Sequence, residues 1–309
     1  MAAVAPLCLA GQTATRLGLG TWALGGGTDW GAQDRAQAEA AVLGALDGGV
    51  NWIDTSPIYG WGAAEELLGR VLRGRRQQVL LADKCGIVLK AGRPDHCLTA
   101  ASVVAECEAS LKRLQTDYLD LYQIHWPDPN TPLEETWMAL QQLLKQGKIR
   151  AVGVCNFSAE LLAQAAALGP VAGVQVPVSL LRPLPEEIQD VGLQKQIPLV
   201  AYGALGGGIL SGKYQKEPNF RRRDARRYFY PYYFAEGFTA AQAVAACVRA
   251  LAAQKNVAPA AVALAWSLAR PGVSSVLVGA RSAAQVQQNL QALQLTLTPQ
   301  EQEFLHGGN

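Results

Sequence analysis

Eight short apolar runs alternate with longer helical stretches along almost the whole chain, and this alternation limits the possible folds more than any other feature. The runs have the length and composition of buried strands. We predict strands at 16–21, 50–54, 78–84, 118–125, 151–156, 173–179, 198–202 and 274–280. We predict helices between and after them at 33–47, 63–73, 99–114, 132–146, 159–168, 185–195, 258–269 and 282–293.

Eight strands that alternate with eight helices are typical of a closed parallel barrel. The predicted fold class is therefore α/β, a (β/α)8 TIM barrel that forms a single domain over residues 1–309, with the barrel itself at about 16–293. A short β-hairpin is expected around Gly11, before the first barrel strand. Ser158 is the expected N-cap of one helix, and Gly147 is the expected stop of another.

The composition argues against several other classes of protein. Half of the 309 residues are hydrophobic and 17% are charged, which is enough apolar material for a large core. The formal net charge of +2 does not suggest an acidic polymer as partner. Residues 1–16 lack the pattern of a secretory signal, and no run approaches the ~18 apolar residues of a membrane span. The six cysteines form no C-x-x-C pair, which favours a reducing cytoplasm over a disulfide scaffold or a metal site.

The interval after the seventh strand is unusually long. Residues 203–256 contain a glycine run, a basic and aromatic stretch at 221–234, and an extra helix at 239–255. Insertions at this end of a barrel strand usually form lids or binding loops, so we predict a lid here. Basic and aromatic residues also occur together in nucleic-acid sites, but the low net charge and the position inside the insertion argue against one. In a lid, four aromatic side chains are expected to line a substrate pocket: Tyr228, Phe229, Tyr230 and Tyr233.

Four polar residues are expected to meet at one end of the barrel. Asp54, Lys84 and His125 each end a predicted strand, and Tyr59 lies in the loop after the second strand. The C-terminal ends of all barrel strands open onto the same face. A free phenol has a pKa of ~10, and a neighbouring lysine cation lowers that value towards neutrality. We therefore predict that Lys84 activates Tyr59 as a proton donor.

The other two residues have supporting parts in this prediction. Asp54 is expected to hold Lys84 charged and in place, and a neutral His125 is expected to orient a carbonyl oxygen. Each of the four residues, taken alone, also has a purely structural interpretation as a cap, a solvated rim residue or core packing. Their presence on one predicted rim favours the functional interpretation.

Successive stretches of the chain resemble the motifs of the aldo-keto reductase family in order, most closely those of its microbial and plant-like branch of broad-range reductases. The stretches are GLGTWALGGG, NWIDTSPIYGWGAAEELLG, LADKCG, YQIHWPD, AVGVCNFS, VQVPVSLLR, VAYGALGGGILSGKY and VLVGARSAAQVQQNL. This resemblance implies a (β/α)8 barrel that binds NADP(H) in an extended pose without a Rossmann domain. It also implies a catalytic tetrad with Tyr59 as general acid: Asp54, Tyr59, Lys84 and His125.

The resemblance also implies a set of binding residues. Asn156 and Gln175 would hold the nicotinamide carboxamide, Tyr202 would stack on the ring, and Arg281 would bind the 2′-phosphate. The implied cofactor-binding set is Thr21, Trp22, Asp54, Cys155, Asn156, Gln175, Tyr202, Gly203, Ala204, Leu205, Gly207, Lys213, Arg226, Gly279, Arg281, Gln285, Gln288 and Asn289. The expected substrate pocket consists of Trp22, Tyr59, His125, Trp126 and Phe157. Cys155 replaces the usual serine of the family, and a thiol is a weaker hydrogen-bond donor.

These features together predict an NADPH-dependent reductase of aldehydes and ketones, reversible towards alcohol oxidation. The expected partner is a small carbonyl or alcohol substrate, with no nucleic acid, membrane or metal ion. Two alternatives remain open at this point. One is a nicotinamide-binding subunit without catalysis that senses redox state, and the other is a lyase in which Lys84 forms a Schiff base.

Overall fold

The computed structural model describes residues 5–306, and in this part of the chain eight parallel strands close into a barrel. In chain order the strands are β1 (Cys8–Leu9), β2 (Gln12–Thr13), β3 (Leu17–Gly20), β4 (Trp52–Asp54), β5 (Leu80–Cys85), β6 (Ile87–Lys90), β7 (Arg93–His96), β8 (Leu121–Ile124), β9 (Val152–Cys155), β10 (Val174–Pro177), β11 (Leu199–Tyr202) and β12 (Val273–Gly279). Around the barrel the strands follow the order β10-β11-β12-β3-β4-β5-β8-β9. The predicted TIM barrel is therefore confirmed.

Helices follow the barrel strands as the sequence predicts, and most begin or end within a few residues of the expected positions. Asp34 and Ser158 cap two of them, each accepting a hydrogen bond from a backbone N–H of the first turn. In chain order they are α1 (Gly27–Trp30), α2 (Arg35–Asp47), α3 (Ala63–Val71), α4 (Ala100–Leu114), α5 (Leu133–Lys145), α6 (Ala159–Leu168), α7 (Glu186–Gln194), α8 (Arg226–Phe229), α9 (Ala235–Lys255), α10 (Pro259–Leu268), α11 (Ala283–Leu290) and α12 (Pro299–His306).

The sequence prediction missed a few elements. The hairpin of β6 and β7 extends the loop after β5, and the helix α12 follows the barrel. The extra helix of the insertion begins at Ala235, four residues earlier than predicted. The last predicted helix ends at Leu290 and continues as a 3₁₀ turn. These differences concern short or terminal segments, where periodicity carries little information.

One end of the barrel is plugged, and this leaves the other end for a site. The predicted hairpin around Gly11 forms as β1 and β2. Its neighbour Leu7 and its own Leu9 are buried in one cluster with Trp52, Leu80, Leu121 and further barrel residues. A side chain at Gly18 would come within 2.3 Å of the Trp52 ring, so the absence of a Cβ there makes room for the indole. The open end is the one at which the parallel strands finish.

The insertion after β11 forms as predicted, with two 3₁₀ segments, Gly206–Ser211 and Pro231–Tyr233, together with α8 and α9. Among the helices of residues 5–306, none has both the length and the apolar character that crossing a bilayer requires. Residues 1 and 309, the predicted limits of the domain, lie outside the described part of the chain, and the single domain stays a prediction.

Candidate active site

The four predicted catalytic residues come together at the open end of the barrel. Asp54 is the last residue of β4, Lys84 lies next to the end of β5, and His125 directly follows β8. All four line one cavity of about 1110 Å³. Tyr59 reaches it from a tight turn in which its backbone N–H donates to the carbonyl of Ser56 at 3.0 Å. The predicted convergence of these residues is therefore observed.

A close approach of two loops holds Tyr59 in place. Gly60 has a φ of +63°, and a Cβ at this position would lie 2.2 Å from the carbonyl oxygen of Gly25. Only glycine fits there, because its backbone adopts positive φ readily and it brings no side chain into the contact. The Tyr59 ring stacks on Trp22 with 6.0 Å between centroids. The loop after β3 thus supports the phenol from one side.

Lys84 forms a buried ion pair with Asp54. Its Nζ donates to Asp54 Oδ1, to the carbonyl oxygen of Thr55 at 2.8 Å and to the Tyr59 hydroxyl oxygen at 3.4 Å. Both Lys84 and Asp54 are almost fully buried. Burial alone would lower the pKa of Lys84, but the charge of Asp54, with a smaller contribution from Tyr59, raises it above the ordinary value. The lysine is therefore a cation at neutral pH.

The pKa of Tyr59 differs from the sequence prediction. Burial raises it to about 12, because desolvation outweighs the opposing effect of Lys84, and the negative charge of Asp54 adds to the increase. The sequence prediction placed Asp54 behind Lys84 but included neither the burial of the phenol nor the effect of the carboxylate on its pKa. In this structure the phenol therefore holds its proton at neutral pH instead of lying close to ionisation.

His125 is neutral, as expected. Burial, with a smaller effect of the nearby Lys84 cation, lowers the pKa of its imidazole well below the ordinary value. Its Nδ1 is hydrogen-bonded with Ser56 Oγ at 3.2 Å, and its ring meets Tyr59 edge-on at 5.9 Å. A neutral imidazole keeps one N–H, which can donate to an oxygen in the cavity when Ser56 donates to Nδ1.

The second carboxylate oxygen of Asp54 is occupied by two glutamines. Gln123 Nε2 donates to Asp54 Oδ2 at 3.0 Å and Gln175 Nε2 at 2.6 Å. Gln175 Nε2 also donates to Gln123 Oε1 at 2.9 Å. Gln123 is absent from the predicted site. It lies on β8 two positions before His125, hence on the same inward face. The sequence could have indicated Gln123, because it is a polar residue at an inward position of an otherwise apolar barrel strand.

The residues expected to hold a nicotinamide carboxamide are already bonded within the protein. Asn156, at a φ of +61°, donates through Nδ2 to the carbonyl oxygen of His125 at 3.0 Å. Its Oδ1 accepts from the Tyr202 hydroxyl at 2.6 Å. Cys155 donates its thiol to Gln123 Oε1 at 3.8 Å. A ligand at this point would share or replace the bonds of Asn156.

A glycine-rich loop shapes the cavity next to Tyr202. Gly203, Gly206, Gly207 and Gly208 all have positive φ values. A Cβ at Gly207 would lie 2.9 Å from the Tyr230 ring, so a larger residue would push into this wall. Backbone that is free of side chains can approach a phosphate group closely. The local structure therefore fits the pyrophosphate of a dinucleotide.

Two cations of the predicted cofactor-binding set, Arg281 and Arg226, line the cavity but already have partners. Arg281 donates through Nη1 to the carbonyl oxygen of Trp30 at 3.0 Å, and through Nε and Nη2 to Gln33 and Ala32. Arg226 is paired with Asp224 through Nε at 2.7 Å and Nη2 at 2.6 Å. A guanidinium carries five N–H groups, so each arginine keeps some for a ligand.

All of the predicted cofactor-binding residues line the cavity, and so do four of the five predicted substrate-pocket residues. Phe157 is the exception and is corrected here: it is buried in the hydrophobic core. Its neighbour Asn156 lines the cavity instead. In the insertion, Tyr228, Phe229 and Tyr230 line the cavity, whereas Tyr233 is buried between Tyr214 and Phe220.

The sequence prediction also missed two walls of the cavity. The β6–β7 hairpin contributes Ile87, Arg93 and His96. The short helix α1 contributes Asp29, whose carbonyl oxygen accepts from the N–H of Ala225 in the insertion at 2.9 Å. This contact joins α1 to the insertion beside the cavity. The Lys-Ala-Gly-Arg turn between β6 and β7 was a usable hairpin signal.

A protonated phenol beside a buried ammonium is suited to giving a proton to a developing alkoxide, and with this barrel it defines a class of carbonyl oxidoreductase. The profile of the Aldo/keto reductase family matches residues 16–306, and the chain belongs to this family. It is accordingly an oxidoreductase that acts on a small-molecule substrate and uses NADP(H).

Named relatives and a solved structure cover nearly the whole chain. Aldo-keto reductase YhdN of Bacillus subtilis is 37% identical over 96% of this chain and 90% of its own length. The NADH-specific methylglyoxal reductase of Escherichia coli is 32% identical over 95% of this chain and 94% of its own length. The structure of the glycerol dehydrogenase AKR11B4 from Gluconobacter oxydans superposes with a TM-score of 0.88 at 33% identity, covering 98% of this chain and 94% of that one.

Proposed function

We propose that this protein reduces aldehydes and ketones to alcohols with NADPH, reversibly, and that Tyr59 is the general acid. The observation that carries the proposal is the contact of 3.4 Å between Lys84 Nζ and the Tyr59 hydroxyl oxygen, in a cavity where the same Nζ is bonded to Asp54. The cofactor supplies the hydride. The protein binds the carbonyl, orients it and supplies the proton.

The roles of the side chains follow from their charges. The neutral His125 donates a hydrogen bond to the carbonyl oxygen and orients it. As negative charge develops on that oxygen, Tyr59 gives up its proton, and the phenolate that remains faces Lys84. Two unit charges 3.4 Å apart attract each other by about 5 kcal/mol at an effective dielectric of 20. This attraction is available only once the proton leaves, so it stabilises the transition state more than the ground state.

The cofactor is assigned to the side of the cavity formed by the loops after β9, β11 and β12. Asn156 and Gln175 would meet the carboxamide, and Tyr202 would stack on the nicotinamide ring. The glycine loop would take the pyrophosphate. The positive φ values of that loop and the open space beside Gly203 support this assignment.

A preference for NADPH over NADH is part of the proposal. Arg281, Arg226 and Lys213 all line the cavity, and guanidinium groups suit phosphate oxygens. The Escherichia coli relative is named as NADH-specific, so family membership alone does not determine the preference. Binding constants for both cofactors, measured by quenching of protein fluorescence, would decide it. Equal constants would contradict the proposed phosphate site.

The direct test is turnover of 4-nitrobenzaldehyde with NADPH by the purified protein. Tyr59→Phe removes only the hydroxyl, so we expect turnover to be lost while NADPH binding is kept. Tyr118→Phe is the matched control, because Tyr118 lies outside the cavity between Arg76 and Arg150. Reduction by Tyr59→Phe at the parent rate would remove the proton-donor assignment.

The two alternatives make different predictions in the same experiment. A redox-sensing subunit would bind NADPH but give no turnover with any carbonyl. A Schiff-base lyase needs a neutral amine, and the raised pKa of Lys84 keeps it protonated. Borohydride trapping of a substrate on Lys84 would favour the lyase.

The finer statements on partners and location belong to the same proposal. We infer that nucleic acid is not a partner, since Arg226 of the basic stretch is paired with Asp224 and Tyr230 lines the cavity. We also infer a cytoplasmic location, since all six cysteines are free within the described residues. Binding of labelled single-stranded DNA at moderate salt, or recovery outside the cytoplasmic fraction, would contradict these inferences.

A further inference from the structure

Gln123 occupies the centre of a closed set of hydrogen bonds beneath the cavity. Its side chain is 1% exposed. Its Nε2 donates to Asp54 Oδ2 at 3.0 Å, and its Oε1 accepts from Gln175 Nε2 at 2.9 Å and faces the Cys155 thiol at 3.8 Å. Gln175 Nε2 closes the set with its own bond of 2.6 Å to Asp54 Oδ2. One buried amide therefore touches three residues of the proposed site.

We propose that Gln123 is a positioning residue that acts through Asp54 and Gln175, fixing the carboxylate that holds Lys84 and the face that Gln175 presents to the nicotinamide carboxamide. This proposal rests on the proposed function. Gln123 itself lies beneath the cavity, among residues that line it, and is not among the lining residues within the described part of the chain.

The position requires both a donor and an acceptor on one side chain. Asp54 Oδ1 faces Lys84, and Oδ2 is filled by the two glutamine donors. The carboxylate therefore cannot rotate away from Lys84 without breaking buried hydrogen bonds, which is unfavourable for each group left without a partner. A hydrophobic residue at 123 would fill the space but leave one N–H of Gln175 without an acceptor.

The same bonds determine which atom of Gln175 is left for a ligand. A primary amide has two N–H donors, and those of Gln175 go to Asp54 and to Gln123. Gln175 Oε1 accepts no hydrogen bond from the described residues, and Gln175 lines the cavity. Its free atom is thus an acceptor, so the group that meets it must be a donor. In a nicotinamide that donor is the carboxamide NH₂.

The binding arm of the test compares NADP⁺ with its 3-acetylpyridine analogue, which lacks the NH₂ group, by fluorescence titration without turnover. We expect the parent protein to bind the analogue roughly tenfold more weakly, the effect of one unmade hydrogen bond. In Gln123→Leu the amide of Gln175 loses one of the two hydrogen bonds that fix it, so this discrimination should shrink. Gln164→Leu, at an exposed glutamine of α6, is the control that should keep the parent values. Equal discrimination in the parent and in Gln123→Leu would overturn the proposal.

The kinetic arm uses Gln123→Leu and Gln123→Glu with 4-nitrobenzaldehyde. Loss of a hydrogen bond to a charged group predicts a fall in kcat of roughly 10- to 100-fold for Gln123→Leu, with the KM for the aldehyde nearly unchanged. Gln123→Glu should be active only at acidic pH, where the protonated acid still donates to Asp54, and should lose kcat as the pH rises. Such an inverted pH profile would not arise if Gln123 only filled space.

The outcomes separate the two proposals. A parent protein that reduces no carbonyl would contradict the proposed function, while the analogue titration would still test Gln123. A parent that is active, together with variants that keep its kcat and pH profile, would overturn the positioning role alone. If a thermal unfolding measurement shows that Gln123→Leu is not folded, the near-isosteric variant Gln123→Glu is used instead. The pH dependence of its kcat then tests the positioning role.

Discussion

Replacing Lys84 with methionine should affect stability and catalysis through two different contacts of the same ammonium. Methionine fills most of the space without charge. Asp54 would then be a buried carboxylate without its cation, and breaking a buried ion pair from one side typically lowers the free energy of unfolding by about 3–5 kcal/mol. The donors from Gln123 and Gln175 remain, so we expect the lower part of that range.

The catalytic loss follows from the distance to Tyr59. At 3.4 Å and an effective dielectric of 20, the ammonium stabilises a phenolate by about 5 kcal/mol. One power of ten in rate corresponds to about 1.4 kcal/mol, so Lys84→Met should lower kcat by three to four powers of ten, roughly. The loss is specific to the chemical step, and NADPH binding should stay within a few-fold of the parent.

A double variant separates the two effects. Asp54→Asn combined with Lys84→Met removes both charges and should recover most of the lost stability, because no uncompensated charge remains. It should recover none of the activity. Urea unfolding and turnover of 4-nitrobenzaldehyde, measured on the same preparations, give the two readouts. A Lys84→Met protein as stable as the parent, or a double variant less stable than Lys84→Met, would refute the reasoning about the ion pair.

Three further predictions follow from other contacts. Burial raises the pKa of Glu106 from 4.5 to about 7, so between these values the folded chain keeps a proton that the unfolded chain has lost. The free energy of unfolding should therefore fall as the pH rises through this window, by about 3 kcal/mol at most, and Glu106→Gln should remove that slope in urea titrations. Arg281→Ala should weaken NADPH binding by about 1.5–3 kcal/mol more than NADH binding, and equal losses measured by titration would remove Arg281 from the 2′-phosphate. Gly60→Ala should lower turnover and thermal stability together, because its Cβ would meet the Gly25 carbonyl 2.2 Å away. An unchanged melting temperature would show that the loop simply moves aside.

The barrel was predictable because its strands and helices have strong and different periods. Residues such as Asp54 and Lys84 were predictable as neighbours because parallel strands finish at one edge, so a strand end in the sequence becomes a place in space. Phe157 shows where this reasoning fails. The position of a residue at the end of a strand indicates at which end of the barrel it lies. Phe157 comes after the end of its strand, where the alternation of inward and outward side chains no longer predicts the direction of a side chain.

The partners of a buried charge were harder to predict than its position. Gln123 is polar and inward, yet one sequence does not reveal which of several inward groups it meets. Arg281 was predicted from its resemblance to family motifs, whereas its bonds to the 30–33 segment depend on a loop without periodicity. Hydrogen bonds between loops are set by tertiary packing, and local sequence patterns carry little information about them.

The pKa of Tyr59 shows how burial and a second charge change the effect expected from one neighbouring cation. A lone buried cation would favour the phenolate, but Lys84 is paired with Asp54, and the field of an ion pair falls off faster than that of a single charge. Desolvation therefore prevails and raises the pKa of the phenol to about 12. Under the proposed function this is useful, because the proton does not leave to water at neutral pH. It leaves when a more basic oxygen, the developing alkoxide, stands beside it, and Lys84 then stabilises the phenolate that forms.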